Sequence, residues 1–263
     1  MPDVTADCAF IDVRGVRLEI IDRGSGRPLL FLHPAIGIDP AAPVLDRLSQ
    51  GARLLAPSHP GFGHSDLPPS FTTVDDLAYF YLDVMDTLDL RGAIVAGVSF
   101  GAWLAAEIAV KSTARIAKLV LADAVGIRVS DDPATSDIAD IFAMPENEFI
   151  ALAYHDAAKG ARDPALPEDR LVVQARNLES TARFAWAPYL HDPKLKGRLH
   201  RIDVPTLMLW GAQDKIVTPD YGRAYAAAIP AAQFALIEAA GHFPHIEQPD
   251  EFARQVLSFV IAN

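Results

Sequence analysis

Ser99 stands in Gly97-Val98-Ser99-Phe100-Gly101, after the apolar run 92–96 and before the small-residue stretch 102–110. A serine hydroxyl becomes a useful nucleophile when it is lifted clear of its surroundings and paired with a base. A G-x-S-x-G pentapeptide between a buried strand and a helix meets the first need, because the connecting turn is sharp and strained. Gly97 and Gly101 leave room where strand end and helix start nearly touch. The helix N-terminus offers unpaired N–H groups and a positive dipole end to a developing oxyanion. The chemistry these residues predict is acyl transfer through serine.

A base and an orienting acid must then converge on Ser99. In open α/β sheets such groups gather beyond the carboxyl ends of the strands. Asp214 follows the apolar run 206–210 through Gly211-Ala212-Gln213, and His242 follows the run 233–237 through Glu238-Ala239-Ala240-Gly241. The chain order Ser, Asp, His is the one this turn uses for acyl transfer. His245 is the nearest rival base. Asp123, at the end of the run 116–121, is the rival acid, and Asp214 is preferred because its loop directly precedes the histidine strand. The oxyanion hole needs two backbone donors. Phe100 N–H is one. The loop after Leu32 supplies the other, and Pro34 has no N–H, which leaves Ala35, with Ile36 behind it. No H-E-x-x-H or paired His/carboxylate spacing occurs, so no metal and no cofactor is expected.

The elements that position these groups are legible as alternating strands and helices. Residues 14–23 alternate in polarity like a half-buried edge strand, and 28–32, 53–56 and 116–121 are short apolar runs that fit buried strands. Helices are predicted over 43–50, over 74–88 behind a Thr73 cap with Asp75 and Asp76 in its first turn, over 219–229 and over 248–261. This order predicts an α/β fold, a mostly parallel sheet with helices on both faces. From 128 to 199 the alternation stops. Pro133, Pro145, Pro164, Pro167, Pro188 and Pro193 cut that stretch into short helical pieces. It reads as a helical cap of lid type, with the core formed by 1–127 and 200–263.

The chain has 263 residues, a net charge of −11 and a single cysteine, Cys8. That length supports one large domain with an insertion. The acidic balance offers no field for nucleic acid. One cysteine excludes an intrachain disulfide, and Cys8 is expected in a loose N-terminal tail. No stretch reads as a secretory signal or a membrane span, so a reducing, cytoplasmic home is expected. Oligomeric state is not legible.

The segments Leu32-His33-Pro34, Pro60-Gly61-Phe62-Gly63-His64-Ser65-Asp66, the Ser99 pentapeptide, the run from Pro205 to Asp214 and Gly241-His242-Phe243-Pro244-His245-Ile246-Glu247-Gln248-Pro249 together resemble the α/β-hydrolase superfamily. The resemblance implies Ser99 as nucleophile, Asp214 as acid, His242 as base and a mobile helical cap over the pocket. The family usually has His-Gly where this chain has His33-Pro34, and proline stiffens that loop. The expected activity is hydrolysis of carboxylic esters of small to medium apolar substrates through an acyl-enzyme. His33, Phe142, Phe184 and Trp186 are the expected substrate contacts. C–C bond hydrolysis or lactone hydrolysis with the same triad stays open, as does a ligand receptor on this fold with little turnover.

Overall fold

The computed structural model describes residues 8–39, 42–132, 135–161, 163–230 and 232–261. In chain order it runs β1 (Cys8–Val13), β2 (Val16–Arg23), β3 (Pro28–Leu32), α1 (Pro43–Ser49), β4 (Arg53–Pro57), α2 (Val74–Thr87), β5 (Ala93–Val98), α3 (Phe100–Lys111) and β6 (Ile116–Ala122). A long insertion follows, with α4 (Glu146–Ala153), α5 (Ala157–Gly160) and α6 (Glu168–Ala185). The chain then completes β7 (Thr206–Gly211), α7 (Pro219–Ala227), β8 (Ala232–Ile237), α8 (Pro244–Glu247) and α9 (Pro249–Ile261).

The strands form one eight-stranded sheet in the order β1-β2-β4-β3-β5-β6-β7-β8. β1 and β4 pair antiparallel with β2, and every pairing from β4 across to β8 is parallel. β5 lies in the middle and every one of its residues is buried. A strand covered on both faces has no polar side, which is why it reads as one unbroken apolar run. Successive residues serve opposite faces. Leu30 and Leu32 pack with residues of α2 and α3, whereas Leu29 and Phe31 pack with residues of α1 and α9. The result is the expected α/β sandwich of helices on both faces of a mostly parallel sheet.

Local chemistry fixes the element ends. α2 opens with a capping box in which Thr73 Oγ1 accepts the Asp76 N–H and the Asp76 carboxylate accepts the Thr73 N–H. Ala102, Ala105, Ala106 and Ala109 of α3 are all buried, and these small side chains let that helix lie close on the sheet.

The N-terminus departs from expectation. Cys8 opens β1, which pairs with β2 from Cys8↔Ile21 to Val13↔Val16 around a turn at Arg14 and Gly15, both at positive φ. The segment is an edge strand exposed along much of its length, so its apolar signal is weak. Pro133 of the insertion, residues 1–7 and residues 262–263 lie outside the described residues. The insertion contains no named strand among its described residues. Its His191 forms an isolated parallel bridge with Gly126, in the loop beyond β6. A 3-10 turn over Lys196–Arg201 leads back to the sheet, with Leu195, Leu199 and Ile202 fully buried. Among the described residues no helix is long and apolar enough to cross a membrane.

Candidate active site

Ser99 occupies the junction of β5 and α3 with φ 53° and ψ −115°. A non-glycine residue held there is strained, and its surroundings must enforce it. A Cβ on Gly97 would lie 2.3 Å from Gly101 O, and one on Gly101 would lie 2.1 Å from Leu32 O. Neither position tolerates a side chain, so the two glycines are what let the turn close. The Ser99 N–H donates to Ala122 O at 2.8 Å, tying the turn to the end of β6.

The acid and base come from the next two strand ends. The loops after β7 and β8 touch: a Cβ on Gly211 would lie 1.9 Å from Gly241 O. Gln213 N–H donates to Ala240 O at 2.9 Å, and Gln213 Oε1 accepts the Ala240 N–H at 3.1 Å. In this frame His242 Nδ1 lies 2.8 Å from Asp214 Oδ2 and His242 Nε2 lies 2.7 Å from Ser99 Oγ. A carboxylate can only accept, so Nδ1 carries the proton and Nε2 accepts the serine hydroxyl. That is the arrangement in which imidazole takes a proton from serine while the acid steadies the resulting cation. Asp214 Oδ1 accepts the Ile216 and Val217 N–H groups at 2.8 and 3.1 Å. All three side chains are buried, Ser99 at 5%, Asp214 at 2% and His242 at 3% exposure.

The rivals are placed elsewhere. His245 is enclosed by the rings of Phe31, Phe243 and Phe252, and burial together with the nearby His242 lowers its pKa to about 3. Asp123 makes no contact with the imidazole that would replace Asp214. Its Oδ1 accepts the Gly211 N–H at 2.8 Å. Asp123, Asp214 and His242 do bring potential ligand atoms within 4.8 Å of one another. Both His242 ring nitrogens are committed, however, one to Asp214 and one to Ser99, so the cluster is built as a proton relay.

The sequence-predicted binding residues scatter. His33 is fully buried. Its Nδ1–H donates to Pro34 O at 2.7 Å and its Nε2 accepts the His59 N–H at 3.0 Å, so both nitrogens serve the protein interior. Beneath it His59 Nδ1 meets Tyr81 Oη at 2.6 Å and His59 Nε2 meets His33 O at 3.1 Å. Burial lowers the His33 pKa to about 4 and pushes His59 well below its ordinary value. This neutral pair supports the loop instead of reaching a ligand. Phe184 is buried in the core that packs under the insertion. Trp186 is 63% exposed and leans on Phe142 at 5.3 Å between ring centroids, with Phe142 edge-on to Tyr189. The rings nearest the base are others: Phe243 at 5.0 Å from His242, with Tyr154 and Phe149 packed against Phe243.

Phe100 N–H and Ala35 N–H have no acceptor outside regular elements among the described residues. The carbonyls around Ala35 are fixed by α6. Asn177 Nδ2 donates to Ile36 O at 3.0 Å, and the single proton of Thr181 Oγ1 is shared between Asn177 O at 2.8 Å and Ala35 O at 3.2 Å. The same helix grips the second glycine loop, with Ser180 Oγ on Gly61 O and Arg176 on the carbonyls of Gly61, Gly63 and Ser65. Asn177, Ser180 and Thr181 were not singled out from sequence, though a buried polar stripe at i, i+3, i+4 was the available signal.

A second device reaches the base. Glu247 is buried, and its carboxylate accepts the N–H groups of Gly241, Asp156 and His155 at 2.6, 2.8 and 3.2 Å. His242 N–H donates to Ala153 O at 2.7 Å and Lys215 N–H donates to Leu152 O at 3.3 Å. The end of α4 is thereby stitched to both the acid and base loops.

Comparison with known proteins agrees with the fold. The sequence profile of the "Alpha/beta hydrolase family" matches residues 29–255. The chain is 26% identical to a 2-hydroxymuconate semialdehyde hydrolase of Pseudomonas putida, over 94% of this chain and 91% of that protein. Its fold resembles that of a meta-cleavage product hydrolase from Pseudomonas fluorescens IP01, with TM-score 0.74 and 22% identity over 96% of this chain and 97% of the other. It also resembles naproxen esterase from Bacillus subtilis, with TM-score 0.77 and 19% identity over 96% of this chain and 90% of the other. At those identities the two structures speak for the fold.

Proposed function

The chain belongs to the alpha/beta hydrolase family, and within it we propose a serine hydrolase that cleaves carboxylic esters of small to medium apolar molecules. The observation that carries this reading is the continuous relay Ser99 Oγ to His242 Nε2 at 2.7 Å and His242 Nδ1 to Asp214 Oδ2 at 2.8 Å. His242 takes the Ser99 proton as Oγ attacks the substrate carbonyl carbon. The oxygen that becomes negative is held by the Phe100 and Ala35 N–H groups. The intermediate collapses, and the leaving alkoxide takes its proton from His242. Water then attacks the acyl-enzyme with His242 again as base. The segment 128–199 acts as the cap that shapes the acyl pocket, and the rings of Phe149, Tyr154 and Phe243 give that pocket an apolar wall.

C–C bond hydrolysis is the second reading, favoured by the curated relative that acts on 2-hydroxymuconate semialdehyde. The same serine would attack a ketone, and a stabilised carbanion would leave. A muconate-type substrate brings a carboxylate that calls for a cation. The insertion's Arg176, which faces the site loops, is spent on three backbone carbonyls. Arg176 is therefore not the cation that this second reading needs.

A panel of p-nitrophenyl esters of increasing acyl length, run beside a vinylogous diketone acid, separates the readings. Ester turnover with a burst and an acyl adduct on Ser99 is the expected result. Diketone cleavage far faster than any ester would move the assignment to the second reading. Absence of both, with no adduct from a serine-reactive phosphonate, would end the enzyme proposal.

A further inference from the structure

Asp123 is the buried ionisable group that the relay leaves unused. Its side chain is fully buried, and its backbone is held at φ 44°, a left-handed conformation that costs a non-glycine residue energy. The residue is pinned there by its own N–H to Leu209 O at 3.0 Å and by Gly211 N–H to its Oδ1 at 2.8 Å. Its Oδ2 is buried with no donor to satisfy it. What stands beside it is Asp214, another acceptor, within 4.8 Å. Two carboxylates pressed together in a dry place cannot both stay ionised.

The hydrogen bonds say which of the two keeps its charge. Asp214 receives N–H groups from Ile216, Val217 and His242, whereas Asp123 receives that of Gly211. Hydrogen bonds to the charged form hold a carboxylate ionised, and Asp214 has more of them. We propose that Asp123 is a neutral carboxylic acid at the working pH, that its proton sits on Oδ2 and is donated to Asp214, and that it is a positioning residue for the relay.

The environment agrees. Burial, first, and then the charges of Asp214 and Glu247 push the Asp123 carboxyl well above its usual range, against the pull of the Gly211 N–H. His242 is the base that faces both carboxylates, with the buried His245 and the Glu247 carboxylate nearby. With Asp123 neutral, the imidazolium formed during catalysis meets one negative charge instead of two. It therefore returns its proton to the leaving group more readily. The donated hydrogen bond also fixes the Asp214 carboxylate in the plane that His242 needs.

The inference rests on the triad reading, and the test keeps the two apart. Asp123→Ala removes a donor from Asp214, so the acid is freed to hold the imidazolium more strongly. The acid limb of kcat/KM for p-nitrophenyl acetate then moves up by about half a pH unit. Asp123→Asn keeps a neutral donor and restores the limb. If Asp123 were a carboxylate, both variants would delete a negative charge and the limb would move down by about a unit in each. A limb that moves in neither variant would equally overturn the proposal.

A second measurement needs no turnover. The expected infrared spectrum of the wild type at neutral pH contains a protonated-carboxyl band. Glu107 is the other buried carboxyl that burial pushes up. The band persists in Glu107→Gln, and this arm stands even if the Asp123 variants fail to fold. No such band in Glu107→Gln would refute a neutral Asp123.

Discussion

The strand-end loops and the insertion hold the same site by opposite means. Around Ser99 and His242 the chain is held by backbone pressed on backbone. Gly97 meets Gly101, Gly101 meets Leu32, and Gly211 meets Gly241, each too closely for a side chain. Around Ala35 and Gly61 the chain is held by side chains reaching from α6: Arg176, Asn177, Ser180 and Thr181, all on backbone carbonyls. Contacts of the first kind have no adjustable part. Contacts of the second kind are hydrogen bonds worth about 1 kcal/mol each, made by side chains that could let go. The difference separates what must stay fixed during a turnover from what could be remodelled between one substrate and another.

The largest break falls on the fixed region. Ser99→Ala is expected to lower ester kcat by about three to six orders of magnitude with the fold intact, because triad members act as a unit. Asp214→Asn is expected to cost about 10⁴ in kcat, since the amide presents the wrong hydrogen to the imidazole. A folded Ser99→Ala protein that kept a tenth of wild-type activity would remove Ser99 from the mechanism.

Acid tests the buried histidines under that region. Above pH 6.5 His33 is neutral in both folded and unfolded chains, and pH has no leverage through it. Below 6.5 the unfolded chain takes up a proton that the folded one refuses until about pH 4. Stability therefore falls across that window, by about 3 kcal/mol for His33 at its lower end. His245 adds a loss that continues to about pH 3. Denaturant midpoints measured at pH 7 and pH 4.5 check this. His245→Leu, which replaces an imidazole whose Nδ1 has no partner, should shrink the drop. An identical drop in that variant would clear His245 of any part in acid sensitivity.

The contrast between the regions also explains what could be read from the sequence. The pentapeptide, the strand runs and the loops bearing Asp214 and His242 are written in residue types with few other uses, so order and spacing exposed them. Glycines at contact points leave a visible mark, since nothing larger fits. β1 stayed hidden because an exposed edge strand carries little apolar pattern. Trp186 is illegible for a different reason: an aromatic ring in an irregular segment looks the same whether it faces a pocket or, as Trp186 does, solvent. His33 looks like a ligand contact in the sequence, because its burial and its two backbone partners arise only once His59 and Pro34 fold against it. Glu247 carries no local signature, because its carboxylate accepts the N–H groups of His155 and Asp156 from far along the chain, and the α6 stripe shows in the sequence only as three small polar residues at helical spacing.

The smallest expected effect is the one that decides whether the insertion belongs to the catalytic machinery at all. Thr181→Val keeps shape and removes the hydroxyl whose proton Asn177 O and Ala35 O share, and Asn177→Ala removes the amide that bridges Ile36 O and Gly63 N. Each leaves a carbonyl or N–H short of a partner, so each should cost about 1 to 2 kcal/mol of stability. If Ala35 N–H is the second oxyanion donor, its peptide is oriented from α6. Both variants should then lower kcat by about tenfold while KM changes little, because the lost interaction matters most when the oxyanion forms. A purely structural clamp would lower stability and leave kcat where it was. Hydrogen exchange supplies the companion readout. With its polar face bolted down, α6 should exchange more slowly than α4 and α5 in the wild type, and Asn177→Ala should bring it toward their rate. An α6 that exchanges as fast as its neighbours before any substitution would mean that the whole insertion opens together as a lid, and that the clamp is remade at each closure.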